Sequence, residues 1–168
     1  AGTLSAPERM SADALDGAGD IELLVVPLDL HGVPWDAFDG PDNQPTELPA
    51  EWLKALTDAE ELIASLRARA GLAEARSAAP LEVVLSLSPI TRDGKALQPG
   101  TMELSGKAPQ WENCFNPALE ADPTRYGARY AGYVTYLTSR LNPSAVILGR
   151  VVNRYEVHCG KAAYDAIL

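Results

Sequence analysis

Sulfur is scarce in this chain: 168 residues contain two cysteines, Cys114 and Cys159. Two are too few for a disulfide scaffold, and their separation fits no zinc-ligand spacing. Positive charge is scarce as well. Fourteen Lys and Arg against 23 Asp and Glu leave a formal net charge of −9. That balance excludes a nucleic-acid partner, because phosphate binding needs a basic surface that releases counterions. No apolar run approaches the roughly 20 residues of a membrane span. Neither G-x-S-x-G nor G-x-x-x-x-G-K-[ST] occurs, so acyl-transfer elbows and phosphate loops have no support. The start, Ala1-Gly2-Thr3-Leu4-Ser5-Ala6-Pro7, lacks an initiator Met and an apolar signal core. It reads as a processed, trimmed or tagged beginning from which any signal peptide has gone. Disorder is excluded too: hydrophobic residues make up 46% and charged residues only 22%, enough for a packed core.

Several elements are legible in what remains. Residues 1–19 carry a short, weakly helical stretch around Glu8 to Leu15. The run Ile21-Glu22-Leu23-Leu24-Val25-Val26-Pro27-Leu28 suits a strand covered on both faces, ending near Pro27. A polar loop follows to about Leu48. Pro49 then opens a helix whose Trp52, Leu56, Ala59, Ile63, Leu66 and Ala70 recur at helical spacing, with Gly71 as a C-terminal cap. Leu81 to Ser88 reads as a second strand, stopped by Pro89, and a loop of more than twenty residues runs to about Asp122. Loops this long are uncommon unless functional. Asp122-Pro123 starts a helix marked by Tyr126, Tyr130, Tyr133, Val134, Leu137 and Leu141 and ended by Asn142-Pro143. Ala145 to Gly149 is a third strand, extending at most to Val152. A loop through Cys159-Gly160 leads to a last helix, Lys161 to Leu168.

This is one domain over residues 1–168, with a helical leader over 1–19 and three βα units over 20–168. Repeated βα units predict an α/β fold with a parallel sheet and right-handed crossovers. Long loops leave the carboxyl ends of the strands, where α/β barrels and open doubly wound sheets both carry their sites.

Four segments meet at that end and offer Asp29, His31, Trp35 and Asp36, then Ser88, then Trp111, and finally Asn153, Tyr155, Glu156 and His158. Carboxylates, amides, imidazoles and tryptophans together suit sugar: aromatic faces stack on pyranose rings and the polar groups bond to hydroxyls. Trp35 and Trp111 read equally as ligand platforms and as core packing. Trp52 and the tyrosines of the 126–141 helix read as core. His31 and His158 with Asp29 or Asp36 lack any ligand spacing, so no metal site is expected, and no cofactor is implied. Asp39-Gly40-Pro41-Asp42-Asn43 lacks the alternating carboxylates and closing Glu of a calcium loop.

Pro34-Trp35 after one strand, Leu87-Ser88-Pro89 after the next, Trp111-x-x-Cys114-Phe115 and Val152-Asn153-x-Tyr155-x-x-His158-Cys159-Gly160 occur in this order. The set resembles bacterial secreted (β/α)8-barrel proteins of the glycoside hydrolase superfamily that includes endo-galactanases. The resemblance covers roughly Asp20 to Leu168 and implies strands two to four of such a barrel. A full TIM barrel takes about 250 residues, so the chain is expected to be a partial or half (β/α)8 (TIM) barrel. The resemblance also implies an extracellular or periplasmic protein, a carbohydrate partner, and a retaining mechanism with two carboxylates about 5–5.5 Å apart. The family's Glu-Val-Asn reads Val151-Val152-Asn153 here, so Val151 takes the acid/base position and cannot transfer a proton. The second carboxylate belongs to a strand outside this stretch. Glu156 is the substitute acid beside Asn153, with a solvated loop carboxylate as the competing reading.

Three functions follow as alternatives: a glycoside hydrolase-like domain with an impaired catalytic pair, a non-catalytic module binding carbohydrate or protein, and a half-barrel completed by oligomerisation. Cys114 and Cys159 leave neighbouring loops on one face, which leaves a disulfide and two free thiols as equal readings.

Overall fold

The structure, a computed structural model, describes residues 2–5, 21–28, 33–38, 45–74, 81–91, 93–97, 114 and 124–167, with 2–5, 21–22 and 70–74 described by their backbone alone. Among the described residues four parallel strands lie in chain order: β1 (Gly2–Ser5), β2 (Ile21–Pro27), β3 (Glu82–Leu87) and β4 (Ala145–Leu148). The fold is therefore α/β with a parallel sheet. β1 is a correction to the sequence reading, which gave Gly2–Ser5 to a helical leader; these residues pair with β2 from Gly2↔Ile21 to Ser5↔Val25. Four residues with Leu4 as the one large apolar side chain carry too weak a pattern to announce a strand; pairing with β2 supplies backbone hydrogen bonds. The Glu8 to Leu15 stretch lies outside the described residues.

Three helices of length follow the strands: α1 (Ala50–Glu74), α2 (Arg125–Leu141) and α3 (Val152–Cys159). A short α4 (Lys161–Asp165) comes last. Helix α1 runs through Gly71 rather than stopping there. Glycine inside a helix costs about 1 kcal/mol relative to alanine, which the rest of the helix outweighs. Helix α2 ends as its sequence predicts: Asn142 adopts the left-handed conformation (φ 44°) and donates its N–H to the Thr138 carbonyl at 3.1 Å. Pro143, with no N–H, cannot continue the helix. Arg67 on α1 donates to the Leu141 and Asn142 carbonyls, taking up groups that a helix end leaves without partners. Arg140 donates two bonds, 2.7 and 2.8 Å, to the Glu60 carboxylate, a bidentate link from α2 back to α1.

Register decides which side chains meet the helices. Leu24 pairs with Val83, Val26 with Leu85 and Leu87 with Leu148, so alternate residues share a face. Leu24, Val26, Val83, Leu85 and Leu87 form one buried cluster with Trp52, Leu56, Ile63 and Leu66 of α1 and with Tyr133, Leu137 and Leu141 of α2. Both helices thus cover the same side. The opposite side carries Leu23, Val25, Val84 and Ile147; the first three are half-buried and Ile147 is 45% exposed. β4 departs furthest from the expectation of burial on both faces, with Leu148 also 54% exposed.

Candidate functional site

The carboxyl ends of β3 and β4 are locked together by backbone and one hydroxyl. Gly149 N–H donates to the Leu87 carbonyl at 2.8 Å, extending the ladder one step. Buried Ser88 then accepts from the N–H of Ile90 and from the N–H of Arg150, each at 3.2 Å, while its hydroxyl donates to the Ile90 carbonyl at 2.9 Å. One serine therefore satisfies three backbone groups where two loops diverge, which is why a polar residue tolerates burial here.

Beyond Ser88 the chain makes a tight turn between Ile90 and Leu97, which bridge each other. Thr91 N–H donates to the Ala96 carbonyl at 2.8 Å, and Thr91 Oγ1 accepts from Ala96 N–H at 3.1 Å. The Asp93 carboxylate accepts from the Thr91 hydroxyl and from Lys95 N–H, and these bonds, the hydroxyl first, hold its pKa below the usual carboxylate range. Because the folded pKa is depressed, the stabilisation is present at neutral pH and fades as pH falls through that lowered value.

Gly94 sits at φ 75°, and a Cβ placed there lies 2.8 Å from Arg154 Cβ and 3.3 Å from the Val151 carbonyl oxygen. Gly94→Ala combines a left-handed backbone with this collision and is expected to cost about 2 kcal/mol. Urea denaturation checks it, and an unchanged midpoint contradicts the close approach of turn and helix.

Val151 itself adopts φ 53° and ψ 26°, a rare conformation for a β-branched residue. It turns the chain out of β4 and straight into α3. The sequence reading gave residues 153–160 to a loop; they are instead largely helical. Val152, Tyr155 and Cys159 recur at helical spacing and face inward, packing with Ile90, Leu97, Ala163 and Ile167 into a second cluster. That spacing is the signal which could have found the helix. Asn153, Glu156, Val157 and His158 are exposed on its outer side.

The nominated residues therefore divide. Tyr155, read as substrate-binding, is fully buried and is corrected to a core residue that anchors α3. Trp35 resolves to core as well: it opens the 3-10 helix Trp35–Phe38, is 4% exposed, and packs 5.8 Å from Tyr126 and 6.3 Å from Tyr130 between ring centroids. Asp36 on the same turn is exposed and lies 3.2 Å from Nη1 of Arg129, a buried guanidinium that also stacks over Tyr126 at 5.8 Å. Arg129 was not anticipated, since an arginine on the expected apolar side of a helix reads as a surface residue. Asn153, Glu156 and His158 remain accessible on α3. Asp29, His31 and Trp111 lie outside the described residues, as does the Asp39 to Asn43 stretch.

Cys114 and Cys159 are joined, with an S–S distance of 2.09 Å and Cα atoms 5.2 Å apart. The bond ties Cys114, between β3 and α2 in the chain, to the end of α3. His158 lies beside it: one donor atom from each of Cys114, His158 and Cys159 falls within 4.8 Å of the others. Among the described residues no helix is long and apolar enough to cross a membrane. No protein-family profile, curated protein or solved structure matches the chain.

Proposed function

We propose that this is a glycoside hydrolase-like α/β domain that binds an extracellular polysaccharide at the carboxyl ends of its strands, with an impaired catalytic pair. The observation that carries the reading is the exit of β4. Asn153, Glu156 and His158 are presented outward on α3 just beyond Val151, and the resemblance would put the apolar Val151 at the position of the acid/base. Amide, carboxylate and imidazole groups fixed on one short helix suit hydrogen bonding to sugar hydroxyls. Proton transfer to a leaving group needs an acid aimed at the scissile oxygen, which Val151 cannot be.

Calorimetric titration of the full chain with soluble β-glycans, galactan among them, is expected to give saturable binding. Reducing-end assays on the same glycans are expected to stay at background. Glu156→Gln removes a charged acceptor and is expected to weaken binding about tenfold, the equivalent of roughly 1.4 kcal/mol. Turnover that Glu156→Gln abolishes would make the domain an enzyme with Glu156 as its acid. The lack of saturable binding to any glycan counts against the sugar reading altogether.

A second reading has its own support. Strands that follow one another across the sheet in chain order, with α1 and α2 on one side, would suit one wall of a singly wound barrel. The half-covered second side and the exposed Ile147 and Leu148 of β4 suit further strands, supplied by an associating chain. Light scattering after size exclusion separates the cases: a dimer supports completion by association, and a stable monodisperse monomer counts strongly against it.

A further inference from the structure

Beyond any sugar site, the sulfur pair and its neighbouring histidine have a chemistry of their own. We infer that Cys114, Cys159 and His158, once the disulfide is reduced, form a three-donor site for a thiophilic divalent cation such as Zn2+. Two thiolates and an imidazole are a zinc donor set, and three protein donors leave the fourth tetrahedral position to water. With Zn–S near 2.3 Å and Zn–N near 2.0 Å, tetrahedral donors stand about 3.5 to 3.8 Å apart. The three donor atoms already lie within 4.8 Å of one another, so separation of the sulfurs by rotation of two side chains is the main adjustment.

One further feature favours positive charge at this place. His158 and Cys159 occupy the last turn of α3, where backbone carbonyls carry the negative end of the helix dipole. His158 and the cysteines are exposed or half-exposed, which leaves an entry path.

The chemistry balances with a dithiol as reductant. The dithiol closes to its own disulfide, and two electrons and two protons pass to the Cys114 and Cys159 sulfurs. The cation then displaces both thiol protons to solvent. Metal and disulfide thus hold the same two points of the chain, one in reducing and the other in oxidising surroundings.

The test uses the full chain, reduced with a dithiol, desalted without oxygen and titrated with Co2+. One equivalent is expected to bind with a near-ultraviolet thiolate-to-cobalt band, while the oxidised protein develops none. Zn2+ is expected to displace Co2+ and to raise the melting temperature of the reduced protein. His158→Ala, a change at an exposed position, is expected to keep the band but weaken Co2+ binding about tenfold or more. Cys159→Ser is expected to lose tight binding. Failure of the reduced wild-type chain to develop the band overturns the site, and that comparison needs no variant to fold. Equal affinity in His158→Ala overturns the histidine's place in it.

Discussion

Replacing Cys159 by serine is expected to lower the unfolding free energy by about 4 kcal/mol and the melting temperature by roughly 10 °C. The bond joins positions 45 residues apart, and closing a loop of that length in the unfolded chain removes about 4 kcal/mol of conformational freedom in the chain-entropy treatment. The consequence is concentrated at one end of the molecule. Helices α3 and α4 rest on a small cluster of Ile90, Leu97, Tyr155, Ala163 and Ile167, separate from the main core. Without the bond, α3 keeps that small cluster as its apolar support against the turn. Thermal and denaturant unfolding of the oxidised wild type and the variant, both with chelator present, measure the global effect. Hydrogen exchange then locates it: protection is expected to fall in α3 and α4 well before α2. Equal stability of the two proteins would falsify a stabilising bond at these positions.

Tyr133→Ala is expected to cost a further class of stability, about 4 kcal/mol, from the main core. The Tyr133 ring is fully buried and lies 5.7 Å from the ring centroids of both Phe38 and Trp52, and 6.2 Å from Tyr130. These come from the 3-10 helix, α1 and α2, so this one ring stands where three elements meet. Removing it leaves a cavity bounded by rigid aromatic groups that relax poorly. Aromatic pairs in edge contact also lose a favourable term beyond buried area, the Phe38 pair being inclined at 78°. Tyr133→Phe keeps the ring and is expected to stay within about 1.5 kcal/mol of wild type. Chemical denaturation of the two variants side by side provides the check. A large loss in both would move the effect from ring packing to the hydroxyl.

These two sites differ in how visible they are from the chain alone. Tyr133 stands in a helical repeat with Tyr130, Leu137 and Leu141, and such periodicity announces a buried face directly. Strands β2 and β3 were equally plain, because a mostly apolar run bounded by proline has few other uses. The region after β4 was not. Val151 carries no local preference for a left-handed turn, and its conformation exists because the surrounding contacts impose it. Once that turn is made, Val152, Tyr155 and Cys159 fall on one face of a helix, and Tyr155 passes from candidate ligand contact to core. Trp35 moved the same way, since an aromatic residue next to proline has the same sequence signature on a surface as under a helix.

Local pattern by itself determined the class of this protein: alternating strands and helices, a parallel sheet, and a net acidic charge. Those are properties of composition and of neighbours in the chain, so short-range spacing expresses them. Tertiary structure alone decided the strand at Gly2–Ser5, which exists through pairing with β2, and the bond between Cys114 and Cys159. It also decided which polar groups of α3 remain accessible, leaving Asn153, Glu156 and His158 outside while Tyr155 is buried. The strand and the bond depend on contacts between residues distant in sequence, which no local spacing encodes. The division of α3 follows the spacing of Val152, Tyr155 and Cys159 only once the turn at Val151 has been made.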